Sequence, residues 1–184
     1  MKRIKKGGQE YIIGYHTQEF RPEPLSEPII CKGKTAWLGI GYYFWTDLDF
    51  AHYWGIDFKR ANTGYYEIYQ AYIKVDNCIN AVFDEEGYFF FRQKIEEAIQ
   101  YFKDHNINVT LEKVNKFLTD NIWGKLGVEG IIYDDKPLNS ARTDRIHSEI
   151  PDLYYKKRIQ IVVFNKKNYI NFDLLLEEQD GSEA

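Results

Sequence analysis

Hydrophobic and polar positions change period several times along this 184-residue chain, and each change predicts an element. Residues 9–16, QEYIIGYH, read as a first strand with Ile12 and Ile13 turned inward. In residues 65–75, YYEIYQAYIKV, Ile68, Gln70, Tyr72 and Lys74 alternate with Tyr69, Ala71, Ile73 and Val75. That alternation predicts a strand with one buried face. Residues 79–83 form a short apolar piece, 129–134 a short strand, and RIQIVVFN at 158–165 the clearest strand of the chain, with 168–172 a shorter neighbour. The period lengthens in between. Phe91, Ile95, Ala98, Ile99 and Phe102 predict a helix over 85–104. Leu111, Val114, Phe117 and Leu118 predict a second helix over 110–121, capped by Thr110. These two helices read as a scaffolding hairpin, 85–121, inserted between strands.

The stretch 37–54, WLGIGYYFWTDLDFAHYW, fits neither period throughout. Gly39 and Gly41 soften a turn, Tyr42 to Trp45 make a short aromatic strand, and a helix is expected from Asp47. Thr46 followed by Asp49 is a helix-start signature, an oxygen capping free N–H groups with an acid three residues on. On that helix Phe50, Tyr53 and Trp54 share one face. Strand and helix aromatics then line two walls of a groove, unless the whole stretch is core. Residues 17–36 carry Arg21-Pro22-Glu23-Pro24 and Pro28, which forbid a regular helix or central strand. A loop of that length in a compact domain points to function or disorder. Residues 136–157 form a second long, polar loop with both charge signs. The basic residues 1–8 and the acidic residues 177–184 are expected to be flexible tails. The whole, 1–184, reads as a single domain of about six strands and three helices, of α+β class.

Composition narrows the function only a little. Aromatic residues make up 17% of the chain and fifteen of them are tyrosines, so some core walls must be wet enough to partner phenol hydroxyls. The net charge of −4 argues against a generic nucleic-acid coat protein, though basic clusters at 2–6 and 156–158 remain. Cys31 and Cys78 have no metal-ligand spacing and are expected to be free thiols in a reducing compartment. Polar Gln9-Glu10 follows the basic start where a signal peptide would be apolar. No apolar run approaches a membrane span. The expected setting is the cytoplasm, without membrane contact. There is no internal repeat, phosphate-binding loop or zinc-protease motif.

Three motifs in order carry a resemblance. They are Tyr15-His16-Thr17 at a strand end, Gly39-Ile40-Gly41-Tyr42-Tyr43-Phe44 with Tyr53 on the following helix, and Gln160-Ile161-Val162-Val163-Phe164-Asn165. Together they resemble the ADP-ribosyltransferase superfamily, and within it the diphtheria-toxin and poly(ADP-ribose) polymerase branch with its His-Tyr-Glu triad. The resemblance covers both ends of the chain and the central motif, and not the hairpin at 85–121. It implies split antiparallel β-sheets forming an NAD cleft, with peripheral helices. It implies His16, Tyr43 and Gln160 as the catalytic set, and His16, Thr17, Gly41, Tyr43, Phe44 and Tyr53 as residues binding NAD. NAD is then a co-substrate, and no metal is implied.

Two positions depart from the family pattern. Thr17 stands where glycine is usual, at a place that serves NAD through its backbone. Gln160 stands where the family has glutamate, which holds a ribose hydroxyl and polarises the nucleophile. Glutamine can hydrogen-bond but cannot act as a base. Glu149 in the polar loop is a candidate replacement. The resemblance implies a mono-ADP-ribosyltransferase modifying a protein, DNA or RNA, of the toxin-like or phage-defence kind. It would have a neutralising antitoxin or partner protein. The rival readings are an NAD or ADP-ribose binding module that has lost its base, an NAD glycohydrolase, and a partner-binding domain whose aromatic stretch is all core. The loop 136–157 would present the acceptor.

Overall fold

The computed structural model describes residues 1–33, 36–135 and 157–179. The polar loop after Asp135, with Glu149 in it, lies outside the described residues, as do 180–184. Eight strands form one sheet: β1 Arg3–Lys6, β2 Gln9–Glu19, β3 Tyr42–Trp45, β4 Tyr65–Ile73, β5 Cys78–Asn80, β6 Gly130–Asp134, β7 Ile159–Val163 and β8 Tyr169–Gln179. Their order is β5-β6-β7-β3-β2-β4-β8, with β1 paired to β2. Every pairing is antiparallel except β5 with β6. The class is therefore α+β, with a mostly antiparallel sheet and a few helices.

Part of each expected tail is strand. Residues 3–6 pair back on β2 from Arg3↔Ile12 to Lys6↔Gln9, across a turn in which Gly7 and Gly8 both have positive φ. Such consecutive positive φ values suit a tight hairpin turn that side chains other than glycine resist. At the other end, β8 runs through residues 177–179, pairing Tyr65↔Gln179 and Glu67↔Glu177. The first strand likewise continues three residues past His16, to Glu19.

The sheet is nearly divided in two between β2 and β3. Those strands share one register pair, Tyr15↔Trp45. Beyond it β2 continues along β4 through His16↔Tyr69 and Gln18↔Glu67. Meanwhile β3 follows β7, from Tyr42↔Val163 to Trp45↔Gln160. Each strand keeps its backbone partners on the far side, so a cleft opens between them without leaving a whole edge unpaired.

Helix α1, Leu48–Trp54, starts one residue later than expected because Asp47, not Thr46, is its N-cap. The Asp47 side chain accepts from Asp49 N, while Thr46 is buried and its N–H reaches Ile159 O. The helix runs on as a wider π-helical turn over Gly55–Lys59, closed by Arg60 N to Gly55 O. Helix α2 covers Glu85–Asp104, with Asp84 as its N-cap. Helix α3 covers Leu111–Leu118, capped by Thr110 as expected. These two bury Phe91, Ala98, Phe102, Val114 and Leu118 against Ile79, Ile131 and Val162 of the sheet. A second core cluster, around Ile12, Phe44, Ile73 and Ile161, fills the opposite face. A third, of Trp45, Phe50, Ala51, Tyr66 and Ile68, seats α1.

Candidate functional site

The cleft between β2 and β3 holds about 310 Å³. His16, Thr17 and Gln18 line it from β2, and Tyr43, Phe44 and Trp45 from β3. Gln160 lines it from β7, Asp135 from just past β6, and Trp54 and Lys59 from the helical segment after β3. Ile29, Ile30, Cys31 and Trp37 close it on the loop side. Five of the sequence candidates therefore meet at one place: His16, Thr17, Tyr43, Phe44 and Gln160.

His16 stands where strand pairing stops. Its Nδ1 lies 3.0 Å from Tyr43 O, the carbonyl that further pairing with β2 would have used. Its Nε2 takes the Ile29 N–H at 3.3 Å. A carbonyl only accepts and a backbone N–H only donates, so the ring carries its proton on Nδ1 and accepts at Nε2. Burial pushes the imidazole down to about 4, with Lys59 adding to the shift and the Tyr43 carbonyl opposing it. The ring is neutral at pH 7. Toward a ligand the ring would therefore offer the Nε2 lone pair, once the Ile29 segment moved aside.

Tyr43 puts its ring in the cleft and uses its hydroxyl locally. The hydroxyl donates to Gly39 O at 2.7 Å and accepts from Leu38 N at 2.8 Å. Burial raises its ionisation well above the usual phenol range. It is an uncharged aromatic wall braced by a turn, and Gly39, at φ +104°, supplies a bend that other residues rarely adopt. Thr17 is buried and donates from Oγ1 to Ala51 O at 2.9 Å, tying β2 to α1. Gln160 is buried and accepts at Oε1 from Trp37 Nε1 at 3.0 Å.

Gly41 and Tyr53 do not line the cleft. Gly41 is bridged to Cys31 through backbone bonds of 2.8 and 3.2 Å. A Cβ there would come within 2.6 Å of Val162 Cγ2, so this glycine serves the close approach of β3 to β7. Tyr53 packs edge-on against Phe50, 6.0 Å between ring centroids, within the cluster that seats α1. The helix instead presents Trp54 to the cleft, one residue further on.

Two polar poles of the site, Lys59 and Asp135, were not among the sequence candidates. Lys59 sits on the π-helical turn near Gln18, with Nζ 3.4 Å from Gln18 Oε1. Asp135 sits at the Gln160 end, its Oδ2 3.3 Å from Arg158 Nη2. The Arg158 guanidinium also lies over the Trp45 and Phe50 rings, at 5.4 and 5.5 Å. Burial raises the Asp135 carboxyl above its usual range, with Arg158 opposing. Period-two alternation from Tyr133 was the available signal for Asp135. Nothing in the sequence announced a π-helical turn at Lys59. The hairpin also reaches the site, because Asn115 Nδ2 donates to Trp37 O at 3.0 Å and Ala36 O at 3.3 Å.

Cys31 and Cys78 form no disulfide. Among the described residues no helix is long and apolar enough to cross a membrane. Comparison with protein families, with curated proteins and with solved structures found no match for this chain.

Proposed function

We propose that this protein is an NAD⁺-dependent mono-ADP-ribosyltransferase acting on a macromolecule, with the cleft between β2 and β3 as its NAD⁺ site. The fold would be the split-sheet arrangement of that superfamily. The observation that supports this most is the meeting of His16, Tyr43 and Gln160, from strands far apart in sequence, in one aromatic cleft. Its volume lies at the small end of the roughly 300–1,000 Å³ usual for ligand pockets, suited to the nicotinamide–ribose half.

The chemistry follows from the walls. A cationic nicotinamide ring gains by stacking on the rings of Tyr43, Trp45 and Trp54. The His16 Nε2 lone pair would accept from a ribose hydroxyl, in place of the Ile29 N–H. Lys59, at the other pole, suits the pyrophosphate. The glycosidic bond breaks through an oxocarbenium-like transition state, which the electron-rich aromatic faces of the cleft would stabilise without a strong nucleophile. A toxin-like or phage-defence role, with a neutralising partner, is the setting we infer for a small transferase of this kind.

The deciding experiment incubates the protein with labelled NAD⁺ and a cell lysate, following nicotinamide release in the same tube. Label destroyed by protease names a protein acceptor, and label destroyed by nuclease names a nucleic acid. Release without label indicates a glycohydrolase. Absence of both signals from folded protein overturns the transferase reading. The Gln160 amide, which cannot ionise, favours one second reading, a module that binds NAD⁺ or ADP-ribose without cleaving it. A finite NAD⁺ affinity with no nicotinamide release would establish that instead.

A further inference from the structure

A transferase of this kind needs a group to take the acceptor's proton, and Gln160 cannot do so. A second cavity, of about 530 Å³, adjoins the NAD⁺ cleft. Tyr88, Tyr133, Asp134 and Lys157 are among its walls. Trp37 and Asp135 line both cavities, so they form the partition between them.

The strand register explains why Asp135 stands there. Tyr133 pairs with Gln160 across β6 and β7, and Asp135 N continues that ladder to Arg158 O at 2.7 Å. Alternation turns Tyr133, Asp135, Arg158 and Gln160 to one face. Asp135 is thus the diagonal neighbour of Gln160, about 7 Å away between backbones. A carboxylate on that diagonal reaches into the space beside the Gln160 amide.

We propose that Asp135 is the catalytic base of the transfer, and that the acceptor enters through the second cavity to meet NAD⁺ at the partition formed by Trp37 and Asp135. This rests on the transferase reading above. In the step, the bond between ribose C1′ and the nicotinamide nitrogen breaks. Its electron pair goes to that nitrogen, and neutral nicotinamide leaves. The acceptor's O–H or N–H group attacks C1′, forming the new glycosidic bond. The proton goes to the Asp135 carboxylate and from there to water. The balance is NAD⁺ plus acceptor giving ADP-ribosyl acceptor, nicotinamide and one proton.

The surroundings suit a base that must stay ionised yet retain basicity. Arg158 pairs with the carboxylate at 3.3 Å and is itself held over Trp45 and Phe50. Burial raises the carboxylate's proton affinity, and Asp134 adds a like charge from the adjacent position. Lys157 and the phenols of Tyr88 and Tyr133 face the same cavity, and across the partition stand neutral His16 and Lys59. Of the groups around the partition, Asp135 is a partly buried carboxylate with a raised proton affinity.

The test compares wild type with D135N, D135E and the double variant D135N/Q160E. NAD⁺ affinity, nicotinamide release and label transfer are measured separately, with transfer followed from pH 5 to 9. D135N should keep NAD⁺ affinity within about twofold and lose about 100-fold or more of transfer, the usual scale for a general base. D135E should retain part of the activity, and Q160E in the D135N background should restore part of it. Wild-type transfer should fall at acid pH along a single ionisation that D135N lacks. If D135N fails to fold, D135S takes its place, and transfer by folded D135S at the wild-type rate overturns the proposal. Transfer by folded D135N at the wild-type rate overturns it while leaving the transferase reading intact. A wild type that binds NAD⁺ and never cleaves it overturns both.

Discussion

Trp37 Nε1 donates to Gln160 Oε1 at 3.0 Å, joining two residues 123 positions apart. An indole nitrogen only donates, so the atom facing it must be the amide oxygen. The orientation of Gln160 is therefore fixed, with its NH₂ group turned away from Trp37. Replacing Trp37 by phenylalanine would keep most of the ring and leave that buried oxygen without its donor. W37F should lose about 1–3 kcal/mol of stability, the usual cost of an orphaned buried acceptor. Urea denaturation checks this, and a loss below 0.5 kcal/mol, on the order of an ordinary surface substitution, would mean that the bond does not hold Gln160.

His16 makes stability depend on acid. Its imidazole titrates near 6.5 when unfolded and at about 4 when folded. Between those values the unfolded chain binds the extra proton, so stability rises with pH across the window. The contribution is complete above about 6.5 and is lost as pH falls through about 4. The slope from this one group approaches about 1.4 kcal/mol per pH unit. Glutamine can both donate to Tyr43 O and accept from Ile29 N without titrating. Denaturation curves of wild type and H16Q between pH 4 and 7 should therefore diverge, and parallel curves would show that the ring is not buried neutral.

What the sequence disclosed follows how local each signal is. Helix α2 ends where its 3.6-residue pattern does, and Thr110 caps α3, because caps and periodicity are set by neighbours in the chain. The convergence of His16, Tyr43 and Gln160 was legible only through the order of three motifs. The poles were not. Asp135 becomes important through a cross-strand diagonal, and Lys59 through a π-helical turn, and both depend on partners distant in sequence. Tyr53 shows the opposite error. It has the right spacing for the groove face, yet it lies partly buried against Phe50, and Trp54 reaches the cleft instead.

Asn115 links the helical hairpin to the site, a connection that the hairpin's own pattern gives no reason to expect. Its amide holds the carbonyls of Ala36 and Trp37, and Trp37 holds Gln160. Alanine at 115 should cost about 1–2 kcal/mol, the worth of a hydrogen-bonded amide and its partners. If the cleft is the NAD⁺ site proposed above, it should also weaken NAD⁺ binding severalfold, although Asn115 does not line the cleft. Thermal denaturation and NAD⁺ titration on the same sample separate the two effects. Full affinity in a destabilised N115A protein would confine its role to stability.

Tyr43 needs two substitutions to be read correctly. Its hydroxyl braces the 38–39 turn through two hydrogen bonds, while its ring packs among the residues that seat the hairpin and faces the cleft. Alanine removes both, with a cost of about 3 kcal/mol or more on the scale of aromatic truncations. Lost activity in Y43A would then confuse unfolding with loss of the site. Phenylalanine removes only the hydroxyl, and Y43F should lose about 1–2 kcal/mol. If the ring stacks on nicotinamide, Y43F should hold NAD⁺ within about threefold of wild type, since a phenyl face retains most of a phenol's stacking. Y43A, measured where it is still folded, should bind at least tenfold more weakly. Equal losses in the two folded variants would mean that the braced turn, and not the aromatic face, governs the ligand, and the stacking role of Tyr43 would have to be abandoned.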